Sequence, residues 1–387
     1  MALNVVSSDR LSTNVKTSNL ATGLSDKVGQ SKNIAINGAM NVAQRGTSTT
    51  TNADFCVDRF MCLFGGTDEA PTYAQHALTS SDTGPWAKGF RNSLHITNGN
   101  QTSGAGTSDY VAVDYRVEAQ DLANSGWDYT SSSSYITISY WVKSSVAQNF
   151  YTTLKTDDGT AQNYAFETGA LSADTWTKIT KKIPGNSNIQ IDNNNGEGFR
   201  IRFVAFRGTD MTSSGYTLNT WGAYNGSARM PDNTSTWYTT NDSTFEITGV
   251  QIEVGDTATE FEHRSYGDEL LRCQRYCYAH ITPDCGQYAQ ISMGSYYNAS
   301  NLFGYVSFPV TMRTKPTLLT TDATDAFNVY RNGGVDFVNN FVLSANESGA
   351  NGAAINNADD ASGTAGHSAI IRRGASSTNY FVFAAEL

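Results

Sequence analysis

The chain alternates between apolar and polar positions in short runs that recur along most of its length. In GFRIRFVAFRG, the side chains of Phe199, Ile201 and Phe203 fall on one face of an extended segment. Arg200 and Arg202 fall on the opposite face. The stretches YITISYWVKSS and TWTKITKKIP repeat this period of two, and turns rich in Gly, Asn, Ser and Thr separate the runs. The pattern predicts antiparallel strands without intervening helices.

Two local signals refine this pattern in the first β region. In TFEITGVQIEVG the alternation is interrupted at Gly249, which predicts a β-bulge. In TWTKITKKIP we expect the strand to end at Pro184, because proline cannot donate to a strand ladder. Several such strands in sequence predict an antiparallel β-sandwich over residues 33–264.

A short helix is predicted where this region ends. In SYGDELLRCQRYCYAH, Ser265 can cap the helix, and Asp268 and Glu269 occupy its first turn. Beyond it, stretches such as LFGYVSFPVTMRTKPTLLT, DFVNNFVLSA and NYFVFAAEL predict five or more strands. Residues 346–366, rich in Ala, Asn, Asp and Gly, are expected to form a polar loop. The helix and a second β-sandwich therefore occupy residues 265–387.

The first 32 residues differ from both β regions. Leucine and valine recur there among Ser, Thr, Asn and Lys, in a stripe too thin for an independent helix. Two interpretations of residues 1–32 stay open: an arm that orders against a neighbouring chain, and a solvated tail.

The composition supports an all-β protein and narrows its partners. Of 387 residues only 16% are charged, whereas Gly (34), Tyr (20) and Phe (18) are abundant, as expected for pleated surfaces joined by neutral turns. The net charge of −10 argues against nucleic-acid binding, for which a basic protein is expected. No apolar run is long enough for a membrane span. The first residues lack the plan of a secretory signal, so we expect synthesis in a cytoplasm.

Three stretches occur in a recognisable order. NIAINGAMNVAQRGTS followed by CVDRF, then ITGVQIEVGDTATEFEHRSYGDELLRCQRY, then FPVTMRTKPTL bracket nearly the whole chain beyond residue 32. Together they resemble a family of bacteriophage virion and tail-fibre proteins whose jelly roll is similar to carbohydrate-binding modules. The resemblance implies a jelly roll followed by a smaller β domain, in a homotrimeric appendage at the virion surface. Residues 1–32 would then attach the chain to other virion proteins.

The same resemblance implies structural roles for the opening stretch. NIAINGAM becomes a strand beside the last strand of the jelly roll. Arg45 and Arg59 are then expected to pair with acids such as Glu253 or Glu262 near the domain joint. Modules of this type often hold a structural Ca²⁺ near their first and last strands, but the sequence assigns no ligands for it.

Glycan binding needs exposed aromatic rings, which stack on the C–H faces of sugars, with polar groups for the hydroxyls. Three polar stretches supply such rings: NSGWDYTSSSS, NTWGAYNGSARMPDNTSTWYTTND and GSYYNASNLFG. A packing role stays open, because loop tryptophans often close the end of a sandwich or fill a subunit interface. The candidate glycan-binding residues are Trp127, Tyr129, Trp221, Tyr224, Trp237, Tyr238, Tyr296 and Tyr297.

Signals for catalysis or zinc are weak. Glycan hydrolysis requires a carboxylate pair, and no spacing selects one; nucleophile-elbow and metalloprotease motifs do not occur. We therefore expect a protein that is not an enzyme. The five cysteines form no regular framework and are expected to be buried thiols. Three of them lie near two histidines without the paired spacing of zinc sites: Cys273, Cys277, Cys285, His263 and His280.

Two functional hypotheses follow. In the first, the chain is a tail-fibre or fibre-tip protein that mediates adhesion to host-surface glycans. In the second, it is a connector or capsid-decorating protein that binds other virion proteins and no sugar. A trimer would carry a net charge of about −30 (three times −10), so its attraction to an acidic polysaccharide must be short-ranged or cation-assisted.

Overall fold

The computed structural model describes residues 32–376 and 379–387, so nearly all of the 1–32 arm lies outside the described residues. The described chain is built from β-strands with short helices between them, and the predicted all-β fold is confirmed. The strands form two units, one on each side of the helix that begins after Ser265.

The first unit contains thirteen strands within residues 32–264. In chain order these are β1 (Ser48–Thr49), β2 (Asp54–Val57), β3 (Phe60–Gly65), β4 (Thr72–Ala77), β5 (Asn92–Thr97), β6 (Tyr110–Glu118), β7 (Tyr135–Ser144), β8 (Asn149–Thr156), β9 (Gln162–Ala170), β10 (Thr177–Pro184), β11 (Glu197–Arg207), β12 (Gly222–Ala223) and β13 (Thr244–Val254).

Two antiparallel sheets pack face to face in this unit. One has the strand order β1-β4-β5-β13-β7-β10, and the other has the order β12-β9-β8-β11-β6-β3-β2. The core between them takes the inward side chains of both sheets, such as Ile138, Phe203 and Ile247. Here Phe203 packs against the Tyr140 ring with 4.9 Å between ring centroids. The alternation seen in the sequence thus gives each sheet one buried and one outer face.

Two local predictions for this unit, a β-bulge at Gly249 and a strand end at Pro184, are confirmed. Strand β13 slips its register against β7 between Thr248 and Gln251, where Gly249 has a φ of +64°, so the predicted bulge is present. Strand β10 ends at Pro184, as expected.

Short helices connect the strands. They are α1 (Ala119–Ala123), α2 (Thr236–Thr239) and α3 (Tyr266–Gln274), with 3₁₀ turns at Trp86–Lys88 and Thr209–Met211. Helix α3 begins as predicted, because Ser265 Oγ accepts a hydrogen bond from the Asp268 amide at 3.2 Å. Among the described residues, none of the helices combines the length and apolarity that crossing a bilayer requires.

The second unit follows α3. Its strands are β14 (Cys277–Ile281), β15 (Gln290–Asn298), β16 (Asn301–Ser307), β17 (Thr317–Thr320), β18 (Phe327–Arg331), β19 (Gly334–Val338), β20 (Val342–Leu343), β21 (Gly352–Asn357), β22 (Ser368–Arg373) and β23 (Phe381–Ala384). They form a small sheet in the order β14-β23-β17 and a larger sheet in the order β19-β18-β22-β15-β16-β21-β20. A separate core includes Leu302, Phe327, Ile355, Ile371 and Phe381.

Two sequence expectations about strands are wrong. Strand β21 lies inside residues 346–366, which were expected to form a polar loop, and it buries Ala353 and Ile355. NIAINGAM does not form a strand. Turns at Asn37 and Met40, both with positive φ, interrupt its extended backbone. It nevertheless lies beside β13, to which it is joined by hydrogen bonds such as Ile34 N to Ile252 O (2.8 Å).

The expected partners of the two arginines near the joint are also wrong. Arg45 and Arg59 both pair with Glu386 near the end of the chain, and not with Glu253 or Glu262. Burial would raise the pKa of the Glu386 carboxyl, but the two guanidinium groups hold it below its ordinary value. This buried ion pair ties the end of the second unit to the first.

Candidate functional site

The predicted loop tryptophans do not lie at the surface. Trp237 is fully buried, and its indole Nε1 donates to Thr244 O at 2.9 Å. Trp221 packs on Tyr164 and donates to Pro184 O at 2.7 Å. Trp127 is buried in the same core. All three rings belong to the core of the first unit, so they do not offer a face to a sugar, and the alternative of a packing role holds for them.

The predicted tyrosines divide into buried and accessible residues. Tyr238 is buried against Phe206, with 4.3 Å between ring centroids, and Tyr296 is buried with its hydroxyl on Asp336. Neither can present its face to a ligand. Tyr129 and Tyr224 are half-buried.

Tyr297 is the most accessible of the predicted glycan residues, with 76% of its surface exposed. It lies in a shallow depression of about 770 Å³ on the outer face of the larger sheet of the second unit. We call this depression the aromatic groove. It is lined by Met293, Gly294, Ser295, Tyr297, Asn301, Phe303, Gly304, Tyr305, Glu347 and Ala354.

The β15–β16 hairpin places the aromatic side chains of the groove on one face. Ser295 pairs with Phe303, and Tyr305 pairs with Ala354 on β21, so alternate residues of neighbouring strands point outward together. Tyr305 is 54% exposed, and Tyr297 stands nearly perpendicular to Phe303 with 6.3 Å between ring centroids. The groove therefore presents two exposed tyrosines around a half-buried phenylalanine.

A glycine gives Tyr305 its place in the groove. A Cβ at Gly352 would overlap the hydroxyl end of the Tyr305 ring. The absence of a side chain on this residue of β21 lets the tyrosine lie across the neighbouring strand. The ring is thus positioned by a strand of the sheet, which is more rigid than a loop.

Polar groups complete the groove. Asn301 Oδ1 is buried at its wall and accepts no hydrogen bond. Glu347 is exposed at one side and accepts a hydrogen bond from Ser344 at 2.5 Å, and Ser295 is exposed on β15. Flat rings beside an amide, a carboxylate and a hydroxyl are the side chains that recognise sugars.

One grouping within the described chain has the geometry of a metal site, formed by His76, His95 and Glu246 in the first unit. The Glu246 carboxylate is already paired with a cation of the protein, because Lys143 Nζ lies 2.9 Å from it. Burial would raise the pKa of Glu246, but pairing with His95 and Lys143 holds it well below its ordinary value. The cluster is therefore an ion-pair network in the described structure.

The cysteines and histidines near α3 do not come together as a ligand set among the described residues. Cys273 and Cys277 are buried, and burial raises the pKa of both thiols. His280 is hydrogen-bonded to Ile291 O at 2.8 Å, and His263 to Lys88 O at 2.8 Å. The expectation of buried, unpaired thiols is confirmed for four of the five cysteines, and Cys285 is partly exposed.

Most of the groove was not predicted from the sequence. Tyr297 was a candidate, but Phe303 and Tyr305 were not, although both lie in the adjoining stretch NLFGYVS at alternate positions. The signal that could have found them is the pairing of two short alternating runs across the Asn298–Asn301 turn. Such a hairpin sets the outward residues of both strands side by side.

No protein-family model and no curated protein matches the sequence. Among solved structures, the chain is similar to the enzymatically active domain of bacteriophage CBA120 tailspike protein 4 (9% identity, TM-score 0.32), over 58% of this chain and 21% of that one. It is also similar to the N-terminal cellulose-binding domain of a Cellulomonas fimi β-1,4-glucanase (10% identity, TM-score 0.26), over 55% and 97% of the two chains. A xylan-binding domain from Paenibacillus barcinonensis gives 11% identity and a TM-score of 0.25, over 55% and 99%. Likenesses this remote carry no argument about what this chain binds.

Proposed function

We propose that this chain is a glycan-binding adhesin of a bacteriophage appendage and that the aromatic groove is its glycan site. The observation that carries the proposal is the exposure of Tyr297 and Tyr305 on one face of a rigid hairpin. Exposed rings of this size are costly to leave in water, and a sugar ring laid on them removes apolar surface from solvent.

The shape of the groove favours binding along the side of a polysaccharide chain over binding of a small free sugar. The groove is shallow and follows the strands, so a chain of several sugar rings can lie along it. Asn301 and Glu347 are placed to bind hydroxyl groups at its edges. We propose binding without hydrolysis, because Glu347 is the one carboxylate among the residues that line the groove, whereas glycosidases typically use a pair.

The virion setting of this proposal rests on the sequence resemblance. By that resemblance the chain is a homotrimeric tail-fibre or fibre-tip protein, made in the host cytoplasm and displayed at the virion surface. Residues 1–32 would attach it to other virion proteins. Light scattering of the full chain is expected to give a trimer mass, and a monomer at low micromolar concentration would contradict this part of the proposal.

The glycan site is tested by binding of the full chain to a glycan array and to extracted bacterial surface polysaccharides. The Tyr297→Ala/Tyr305→Ala variant is expected to lose about 2 kcal/mol of binding free energy, which is roughly thirtyfold in affinity. Tyr266→Ala is the matched control, since Tyr266 is 59% exposed on α3 and outside the groove. Equal binding by wild type and the double variant would overturn the proposal.

A connector or capsid-decorating protein is the second candidate function. It is favoured by two apolar side chains, Val335 and Phe337, that are exposed at alternate positions of the edge strand β19. Exposed apolar side chains that adjoin one another are typical of a protein interface. If the face is buried in an oligomer, Phe337→Ser is expected to lower the oligomer mass in light scattering without changing glycan binding.

A further inference from the structure

The second sheet of the first unit carries a row of positive charges on its outer face. Strand β11 runs between β6 and β8, and its register places Arg200 directly beside Arg116 on one side and Lys155 on the other. Like charges on directly opposite residues destabilise a sheet. Packing does not require these side chains, because the core lies on the other face of the strand. The row therefore points to a role in binding.

Carboxylates on this face neutralise some of the cations. Among the described residues they pair as follows: Asp114 with Arg202, Asp157 with Lys155, and Glu197 with Arg200. Arg207 and Arg229 are left without a carboxylate partner in this part of the chain, although Arg229 Nε donates to Gly226 O at 2.8 Å. The local charge is thus positive in a chain whose overall charge is strongly negative.

Arg207 is the unusual member of this group. Its side chain is buried, with 2% of the residue exposed, and its Nε and Nη1 atoms donate no hydrogen bond. Burial lowers the pKa of the Arg207 guanidinium well below its ordinary value, and repulsion from Arg202 and Arg229 adds to this. A buried arginine without a partner is rare, because a charge removed from water is costly unless it is paired.

The fold turns Arg207 toward a pocket. The register of β11 against β6 shifts between Val204 and Phe206, so Ala205 and Phe206 both enter the core and Arg207 returns to the outer face. Bulges commonly re-aim a side chain at a binding site. The pocket encloses about 220 Å³, and its lining includes Tyr224 and five cations: Lys155, Arg200, Arg202, Arg207 and Arg229.

One wall of the pocket comes from the loop after β11. Val204 and Met230 pack together and hold this loop on the sheet. Tyr224, from the same loop, places its ring 5.0 Å from Lys155 Nζ and 5.6 Å from Arg229 Cζ. The pocket therefore has a fixed wall, and the cations around it are positioned before any ligand binds.

We infer that this arginine pocket binds the carboxylate, sulfate or phosphate group of an anionic ligand. An oxyanion would accept hydrogen bonds from the unpaired N–H groups of Arg207, and it would neutralise the charge of Arg229 at the same time. The source of the group is either an acidic sugar residue or a free inorganic anion. The inference does not depend on the aromatic groove, which lies in the other unit.

Calorimetric titration of the full chain with sodium glucuronate and sodium sulfate, at constant ionic strength, tests the pocket. Both anions are expected to bind and to compete, and glucose is expected not to bind. Tighter binding of glucuronate would support an acidic sugar as the source, and tighter binding of sulfate would support an inorganic anion. Failure of both anions to bind the folded wild-type chain would overturn the inference.

Variants locate the binding. Arg207→Gln is expected to weaken anion binding by about tenfold or more, because it removes a charged hydrogen-bond donor. Arg229→Gln should also weaken it and serves if the buried variant does not fold. Arg272→Gln, an exposed arginine on α3, is the matched control and should bind like wild type. Wild-type affinity in both pocket variants would contradict the site.

The Tyr297→Ala/Tyr305→Ala variant separates this inference from the proposed function. It should bind glucuronate or sulfate with wild-type affinity, because neither ring lines the pocket. Loss of glycan binding with intact anion binding, or the reverse in the Arg207 variant, shows which of the two sites has failed.

Discussion

Each unit has one seven-stranded sheet, and the outer faces of these two sheets carry different kinds of side chain. In the first unit, the outer face of β11 carries arginines that surround a small pocket closed on one side by a loop. In the second unit, the outer face of β15 and β16 carries exposed tyrosines in an open groove. Both sheets bury an apolar inner face in the same way. The inner face is fixed by packing in both units, whereas the outer face can differ in its chemistry.

The two faces also differ in what holds their side chains in place. The arginines are kept close by strand register and by partial pairing with carboxylates, against their mutual repulsion. The tyrosines lie on the sheet through small neighbours such as Gly352. A face of the first kind favours an anion and responds to salt, whereas a face of the second kind favours the apolar side of a neutral ring.

The largest expected effect tests whether inner and outer faces are separable. Phe203→Ala removes a ring from the core beneath the arginines and should lower the free energy of unfolding by about 3–5 kcal/mol. Thr180→Ala, on the exposed side of β10, should change it by less than about 0.5 kcal/mol. Urea unfolding measures both. A small effect of Phe203→Ala would show that the core does not carry the stability of this sheet.

The next effect has the opposite sign. Arg207→Met replaces a buried guanidinium without a partner by an apolar side chain, and it should raise the free energy of unfolding by about 2 kcal/mol in anion-free buffer. Adding sulfate should stabilise the wild type and not the variant. Thermal unfolding with and without sulfate measures both effects. Destabilisation by Arg207→Met would mean that the arginine is satisfied within the protein.

A smaller effect is expected in the aromatic groove. Gly352→Ala introduces a Cβ that meets both the Tyr305 ring and the Val306 carbonyl oxygen of β16. It should displace the ring and strain the β16–β21 pairing, and so reduce glycan affinity about threefold or more. Gly349→Ala is the control, because a Cβ there meets nothing within 4 Å. Equal affinities of the two variants in a glycan-binding assay would show that the position of Tyr305 does not matter.

The smallest effect is the pH dependence of the two units. Burial lowers the pKa of His280, so the unfolded chain binds more protons, and the second unit should lose stability as the pH falls below about 6.5. The pKa of Glu246 is low in the folded chain, so the first unit should keep its stability until the pH falls below about 4.5 and lose it at lower pH. The free energy of unfolding measured across these pH ranges should no longer show the first loss in His280→Gln and should no longer show the second in Glu246→Gln. Identical pH profiles for both variants and wild type would contradict this difference.

Much of the fold could be predicted from local patterns. The alternation over β7 and β11, the bulge at Gly249 and the cap at Ser265 each depend on a few neighbouring residues, and each is confirmed. Strand β21 was missed because it is short and lies among Ala, Asn and Gly, residues that are also typical of loops.

The site was harder to predict because burial depends on distant parts of the chain. Trp237 lies in a polar stretch, yet a one-turn helix folds its ring into the sandwich. The partner of Arg45 is 341 positions away along the sequence. A sequence window shows which rings and charges are near in the chain, but it does not show which ones the fold exposes.

The proposed function depends most directly on where a glycan contacts the surface. Hydroxyl-radical footprinting of the full chain, with and without a saccharide that it binds on the array, measures this for each tyrosine. We predict protection of Tyr297 and Tyr305 by the saccharide, and unchanged oxidation of Tyr266 and Tyr380, which are exposed outside the groove. Protection of Tyr266 or Tyr380 with no change at Tyr297 and Tyr305 would contradict it.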